Sequence, residues 1–539
     1  MKNCNILSSL TFVGLLLLAV LIGPGMADTT PAVTVTKTFL SKQPDDSVVY
    51  AESAVISPDS THLAYVVKND IGMQVMTNNS AGKRYDQIAK GFPIFSPQKN
   101  RVGYIATLAD RNIVVVDETE YLGFDGACCL TFSPNGKSFA YIAQKEGKQV
   151  VVFNGTPHKP FDAIDRQIGL VFGPGSSRLA YAGLDQGRVT LVVDGKPRER
   201  IWDIIEEVAF SPDAKNIACI ATTQKKYFVT QNGAAHGPFD MAESLTWSPD
   251  SKSLVFVAIK NDNWITVRNG QELPSGKYTI RTVFNPEKKE YEYMVPQITP
   301  PEFSPDASRL AFTKADGVRY RICVDEQEGP LFDRVGGPTF SPDSRHYAYI
   351  GIIAQKTVDK YNIVYDGNII ATYDLVVPPI VFSPDAQRIG FRAGTSEKKF
   401  MVVLDGKEGP LYDNVSQPFF SPDSQRIAYK ALKNGKTLMV VDGKEHGLFI
   451  DTTRPFFSPD SDHVVYLAEE VPFSAALFVN GKEVTPFTTM LDQQRRGHHA
   501  PIVFDEDRRF HFIGLLLEQN RFHGYQFDGT TRSQAVDLP

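Results

Sequence analysis

A chain of 539 residues with 42% hydrophobic and 22% charged side chains has ordinary globular composition, which excludes a disordered or low-complexity protein and leaves material for more than one core. The formal net charge is −6, and no basic stripe is interleaved with aromatic residues, so nucleic acid is excluded as a partner. The densest cationic patch, Arg495, Arg496, His498 and His499, is followed at once by Asp505, Glu506 and Asp507.

Lys2 precedes the apolar run 10–22, and Gly25-Met26-Ala27 puts small residues where a signal peptidase cuts. Residues 1–27 therefore read as a secretory signal, since an apolar run this short does not span a bilayer comfortably. The expected mature chain begins at Asp28, has lost Lys2 and so carries −7 instead of −6, has no integral membrane span, and is periplasmic or secreted. Residues 28–50 form an N-terminal segment, in which 32–40, AVTVTKTFL, is a spare strand able to add to an outer edge.

From residue 51 the chain repeats. A Ser-Pro step or its degenerate equivalent falls at Ser57, Ser96, Ser133, Gly173, Ser211, Ser248, Ser304, Ser341, Ser383, Ser421 and Ser458, with a weak twelfth copy at Asp505, and most intervals are 37 to 42 residues. The clearest unit, 403–431, recurs almost unchanged at 440–468. Within it two β-prone runs flank Ser-Pro-Asp-Ser, where proline presets φ and the serine and aspartate side chains bond back to the backbone. A second hairpin turns on Asp442-Gly443, a pair that accepts the positive φ values of two-residue loops. Four strands per unit result. Such a unit cannot bury both faces of its sheet alone, so neighbours stack into a β-propeller. The second strand carries a small residue before an aromatic one, as in Ala64-Tyr65, Ala140-Tyr141, Ala348-Tyr349 and Ala428-Tyr429, which leaves one face flat and gives the other a ring.

The pattern FSPDS-x-R-[IL]-A-Y resembles the WD40-like (PD40) repeat of bacterial TolB and of the propeller domains in prolyl oligopeptidase-type enzymes. The resemblance implies an all-β propeller over nearly the whole mature chain. It implies no function, because one fold hosts many. The additional domains of both relatives are not expected: about thirty residues separate the signal segment from the first copy, and no Gly-x-Ser-x-Gly elbow is present.

The rhythm breaks once, with 56 residues from Ser248 to Ser304. The surplus reads as an inserted hairpin with strands at 278–284 and 291–295. A break at the midpoint predicts two consecutive propellers of four-stranded blades, six blades each: 51–273, then 274–299 as hairpin and linker, then 300–539. In the degenerate last copy a loop is inserted at 490–500. Its final hairpin is expected as 524–527, the turn Asp528-Gly529 and 532–538, so that the ring can close with its own strands.

Once per copy an aromatic-Asp pair precedes the next Ser-Pro, as in Phe124-Asp125, Phe161-Asp162, Phe239-Asp240 and Tyr412-Asp413. Either the carboxylate accepts backbone N–H groups where the chain crosses between blades, or the carboxylates form a crown that gathers cations or a basic partner. Of the cysteines left after processing, the adjacent Cys128 and Cys129 should project to opposite faces of a strand; an oxidising compartment allows a bridge, buried thiols are the expectation preferred over it, and metal-type spacing is absent. His498, His499, His511 and His523 match no zinc motif and read as surface or packed residues. No catalytic motif, metal site or cofactor is expected.

The functional expectation is an exported, non-enzymatic binding scaffold for a protein or polymer in the cell envelope. The alternative is a propeller enzyme, a lyase or hydrolase acting on an extracellular saccharide or peptide in a central funnel. Both repeated turns lie on one face and are nearly uniform, whereas the connections on the opposite face vary, and varied loops on a rigid scaffold carry specificity. The candidate ligand-binding residues are accordingly Asp165 and Arg166 in 163–170, and Lys356, Asp359 and Lys360 in 352–360.

Overall fold

The computed structural model describes residues 34–530 apart from 176, 274–275, 277–280, 286–289, 295–298, 356, 472–473, 489–501, 505–508 and 519–520. The signal segment 1–27, the loop 490–500, His498, His499 and Lys356 lie outside the described residues. Everything described is strand, turn or loop, and no helix among these residues is long and apolar enough to cross a membrane.

The strands form twelve four-stranded blades, as the repeats predict. Blade 1 consists of Val48–Ile56, Leu63–Asn69, Gly72–Thr77 and Ser80–Tyr85, paired antiparallel in that order. Blades 2 to 11 follow the same plan around second strands Val102–Leu108, Phe139–Lys145, Leu179–Asp185, Ile217–Thr223, Leu254–Lys260, Leu310–Asp316, Tyr347–Ile353, Ile389–Gly394, Ile427–Lys433 and Val464–Val471. The inserted hairpin is present between blades 6 and 7 as Arg281–Asn285 and Glu290–Met294, a sheet of its own.

Local chemistry closes each unit. Ser421 Oγ is fully buried, donates to Asp423 Oδ1 at 2.5 Å and accepts the Arg426 N–H at 2.9 Å, while Asp423 Oδ1 also accepts the Gln425 N–H at 3.0 Å. At the second turn Asp442 and Gly443 have φ of 51° and 79°, the two positive values of a type I′ hairpin.

The turn aspartate does a second job that the repeat pattern contains but that pairwise reading of the motif misses. Where the residue after the Ser-Pro turn is arginine (Arg101, Arg178, Arg309, Arg388, Arg426), the hairpin residue is aspartate (Asp117, Asp194, Asp325, Asp405, Asp442), and each pair meets at 2.7–3.0 Å. The same guanidinium reaches the next blade, as Arg101 does to the Lys137 carbonyl and Arg426 to that of Asp462, both at 2.7 Å. Where the first position is Ser138, Asn216 or Ser253 the partner is Asn154, Asn232 or Asn269, which keeps the backbone hydrogen bond to the second strand and replaces the ion pair with an amide hydrogen bond to that side chain at 2.9–3.3 Å.

Packing between blades follows the small-aromatic step. Ala428 lies in the cluster shared with blade 11, and Tyr429 in the cluster shared with blade 9. Hydrophobic clusters among the described residues join every successive pair of blades. Val255 of blade 6 meets Phe303, Leu310, Phe312 and Cys323 of blade 7, and Ile513 of blade 12 meets Leu63, Tyr65, Val67 and Met76 of blade 1. The blades thus succeed one another as a ring. A pair of closed six-bladed rings would in addition bring blade 6 to blade 1 and blade 7 to blade 12.

The last blade departs from expectation. Its strands are Val503–Phe504, Arg509–Glu518 and Arg521–Thr530, and its outermost strand is the N-terminal Thr34–Lys42, paired to Arg521–Thr530 over its whole length. Closure therefore uses the spare N-terminal strand, and the expected strand 532–538 lies outside the described residues. Asp528-Gly529 is no turn here, because Gly529 sits inside a strand where a Cβ would come within 2.0 Å of the Phe510 ring. Glycine is needed for close packing at that position, not for positive φ. Asp528 instead accepts from His511 Nδ1 at 2.6 Å and Gln526 Nε2 at 2.7 Å.

Candidate functional site at the innermost strands

The aromatic-Asp pairs hold blades together. Asp240 Oδ2 accepts the Asn261 N–H of blade 6 at 3.1 Å while Oδ1 pairs with Lys226 of blade 5 at 2.5 Å, and Asp413 repeats this with Asn434 and Lys399 at 2.6 and 2.5 Å. Asp86, Asp125, Asp162, Asp203, Asp333 and Asp374 cap the equivalent turns at 2.8–3.1 Å. The rings pack as expected, with Phe161, Phe239, Phe332 and Phe449 buried. Of the two readings of these carboxylates, the structural one holds.

Departures from the repeat lie elsewhere. The first strands converge on the ring axis: Trp247 Nε1 of blade 6 donates to the Ala209 carbonyl of blade 5 at 3.2 Å, and the Leu245 N–H donates to Glu207 at 3.2 Å. Fourth strands form the outer edge, where Lys196–Trp202 is exposed at all but its last residue. Many of the first strands are interrupted. In blades 2, 4, 8, 10 and 11 the strand splits into two pairs of residues around a bulge, and in blades 1, 3, 5, 6 and 9 the register slips. Bulges of this kind re-aim side chains and recur beside functional sites.

Between the bulges of blades 1 and 2 is a pocket of about 220 Å³ with Tyr50, Glu52 and Ser53 on one side, Lys90, Gly91 and Phe92 on the other, and Val66, Met73, Ile88 and Ala89 at its base. Ser53 fixes one wall, donating to the Tyr50 carbonyl at 2.6 Å and accepting the Val66 N–H at 2.7 Å. On the far side of blade 4, the first strands of blades 5 and 6 carry Glu206, Glu207 and Glu243. Burial pushes the Glu207 carboxyl up, amides of Leu245 and Ser244 oppose it, and the nearby Glu243, itself raised by burial, adds to it. Two cations of the inner region are engaged: Arg392 donates to the carbonyls of Pro378 and Val415, and Lys430 to Asp451 and the Thr452 carbonyl. The described residues hold no group of three or more His, Cys, Asp and Glu able to bind a metal ion.

The predicted site residues divide between two places. Asp165 and Arg166 lie in the bulge 165–170 between the strand pieces Ala163–Ile164 and Val171–Phe172 of blade 4, so they are on the innermost strand. Asp165 Oδ1 accepts the N–H groups of Gln167 and Ile168 at 2.8 and 3.2 Å and shapes its own loop, leaving Arg166 exposed. Asp359 and Lys360 are at the turn between the second and third strands of blade 8. Asp359 pairs with Arg334 and accepts the Gln355 N–H at 3.2 Å, and Lys360 pairs at 2.6 Å with Asp374, making it the blade 8 copy of the Lys-Asp staple. The structure does not bring the two places together. The cysteine expectation is corrected: Cys219 and Cys323 are buried, but Cys128 is half-buried and Cys129 exposed. A bulge with Cys129 at φ 62° cancels the alternation of the strand, so the two side chains converge instead of facing opposite ways.

Tyr50, Glu52, Lys90 and Phe92 were missed because nothing marks them as chemistry. A signal did exist in spacing: ten residues separate Asp86 from Ser96 and eleven separate Asp162 from Gly173, against eight in most copies. The surplus lengthens a bulge that blades 8, 10 and 11 form without it.

No family model and no curated protein matches this chain. Among solved structures it is similar to a putative TolB from Agrobacterium tumefaciens, at 15% identity over 39% of this chain and 90% of that one, with a TM-score of 0.21. Others are the dihydro-heme d1 dehydrogenase NirN in complex with DHE, at 12% identity over 59% and 72% with a TM-score of 0.24, and the Dos1 propeller, at 12% over 66% and 90% with a TM-score of 0.27. The TolB-like propeller reading rests on the twelve blades and the repeat that builds them.

Proposed function

We propose that this protein is an exported, non-enzymatic binding scaffold whose partner is a protein of the cell envelope, gripped by the bulged first strands. The observation that carries this reading is the pocket between blades 1 and 2. At about 220 Å³ it is smaller than the roughly 300–1,000 Å³ clefts that hold whole small-molecule ligands. Its apolar base and Tyr50, Glu52, Lys90 rim suit one amphipathic side chain of a larger partner, the kind of anchor that dominates protein interfaces. Of the candidate residues Asp165, Arg166, Lys356, Asp359 and Lys360, the exposed Arg166 belongs with this inner surface. Export rests on the segment 1–27, and envelope protein purified from the source cell should begin at Asp28.

Capture from envelope extract by the wild-type chain should be lost with Tyr50→Ala or Lys90→Glu and kept with Lys407→Glu or Lys444→Glu on the repeated turns. The opposite pattern would move the site to the other face. Turnover of a polysaccharide or peptide, abolished by Glu207→Gln or Glu243→Gln, would overturn the scaffold reading in favour of an enzyme.

A further inference from the structure

Cys128 and Cys129 are neighbours in sequence on the innermost strand of blade 3, and their sulfurs are 3.0 Å apart. Three features bring this about. The pairing with the second strand slips between Cys128 and Thr131, Cys129 takes a left-handed backbone conformation that non-glycine residues seldom adopt, and the outer of the two thiols is exposed while the inner one packs against the cluster shared by blades 3 and 4. Strained backbone of this sort gathers where a protein does chemistry. Arg166, from the bulge of blade 4, lies close enough for its charge to favour the Cys128 thiolate, against burial and the neighbouring sulfur, which push that thiol up to about 11.

We propose that Cys128 and Cys129 form a redox-active vicinal dithiol that exchanges with small disulfides and closes reversibly into a disulfide between adjacent residues. The Cys129 thiolate, exposed, attacks one sulfur of the small disulfide, forming a mixed disulfide and releasing one small thiolate. Cys128 then loses its proton, and its sulfur attacks Cys129 Sγ and expels the second small thiolate. Two electrons pass from the protein pair to the small disulfide, and the two protons end on the two small thiols. Adjacent Cα atoms are about 3.8 Å apart, below the usual 4.4–6.8 Å span of a disulfide. The closed form is therefore strained and readily reduced, as labile and regulatory disulfides are. Cys219 and Cys323, both buried, take no part.

The test uses the folded full chain with oxidised glutathione, followed by alkylation, denaturation and peptide mass analysis. The peptide carrying Cys128 and Cys129 should resist alkylation and weigh two hydrogens less than its dithiol form. A mild dithiol reductant should reverse this, while Cys219 and Cys323 remain thiols. Cys128→Ser should stop at a glutathione adduct on Cys129, and Cys129→Ser should slow oxidation of Cys128 to the rate of Cys219. Should either variant fail to fold, the wild type decides with phenylarsine oxide, which is held only where two sulfurs reach one arsenic: stoichiometric retention at this peptide supports the pair. A pair that stays open to alkylation, takes up two glutathiones, links separate chains or fails to hold the arsenical overturns the proposal.

Discussion

Asp442 shows how much one side chain of the repeat does. Its Oδ1 accepts the Ile427 N–H at 2.9 Å, its Oδ2 takes the Arg426 guanidinium at 2.9 Å, and its backbone enters the type I′ turn. Asp442→Asn keeps the backbone bond and gives up only a half-exposed ion pair, so a loss of about 0.2–1 kcal/mol is expected. Asp442→Ala gives up both and should cost about 1–3 kcal/mol. Chemical denaturation of the two variants checks the order, and equal losses would mean that the arginine carries the whole effect. At Gly443 no atom lies within 4 Å of an added Cβ, so Gly443→Val acts through backbone strain alone and should lower stability by about 1–3 kcal/mol. The glycine and proline turns were legible in the sequence because their chemistry is local. The pairing of arginine with aspartate, and of serine or asparagine with asparagine, was equally present but becomes visible only when the turn is known to fold back on the second strand.

At the scale of elements, the boundary between what sequence carries and what it does not follows distance along the chain. Strands Ile427–Lys433 and Lys436–Val441 announce themselves through β-prone runs and their own turns. The pairing of Thr34–Lys42 with Arg521–Thr530 leaves no local mark, since its two halves lie at opposite ends of the chain. The inner bulges were hidden for another reason: Cys129 adopts positive φ without being glycine, a conformation that tertiary contacts impose. Removing residues 34–42 should leave Arg521–Thr530 as a bare edge, and uncovered edges recruit other chains. The truncated protein is expected to melt earlier than the parent and to aggregate on storage, measured by calorimetry and light scattering. Adding the excised strand as a peptide should restore the melting temperature if edge pairing is the cause.

For the whole molecule, acid is an informative probe. The turn carboxylates Asp213, Asp250, Asp343, Asp385 and Asp423 are held below the usual range, chiefly by the serine hydroxyl two residues earlier. Partial burial would raise Asp59, but hydrogen bonds from Asn100, Ser57 and Thr61 outweigh it and lower the carboxyl to about 2. A carboxyl depressed by folding stabilises above its unfolded pKa, near 3.9, and ceases to as pH falls through the folded value. Stability should therefore hold down to roughly pH 4 and fall away toward pH 2, followed by circular dichroism; a transition centred near neutrality would contradict the turn assignments. Cleavage within 286–289 tests the grouping of the blades: two halves that separate on gel filtration and keep their sheet signal would carry the six-plus-six division, and a nicked chain that elutes as one body would carry a single ring. The pairing of the first strand with the last also sets an order of events during synthesis. The segment 34–42 leaves the ribosome before any blade exists, and its partner strand emerges when nearly all the rest has been made. Until then the ring stays open and the early strand must remain unpaired, which makes closure a late, long-range step and the nascent chain a natural client for a holding chaperone.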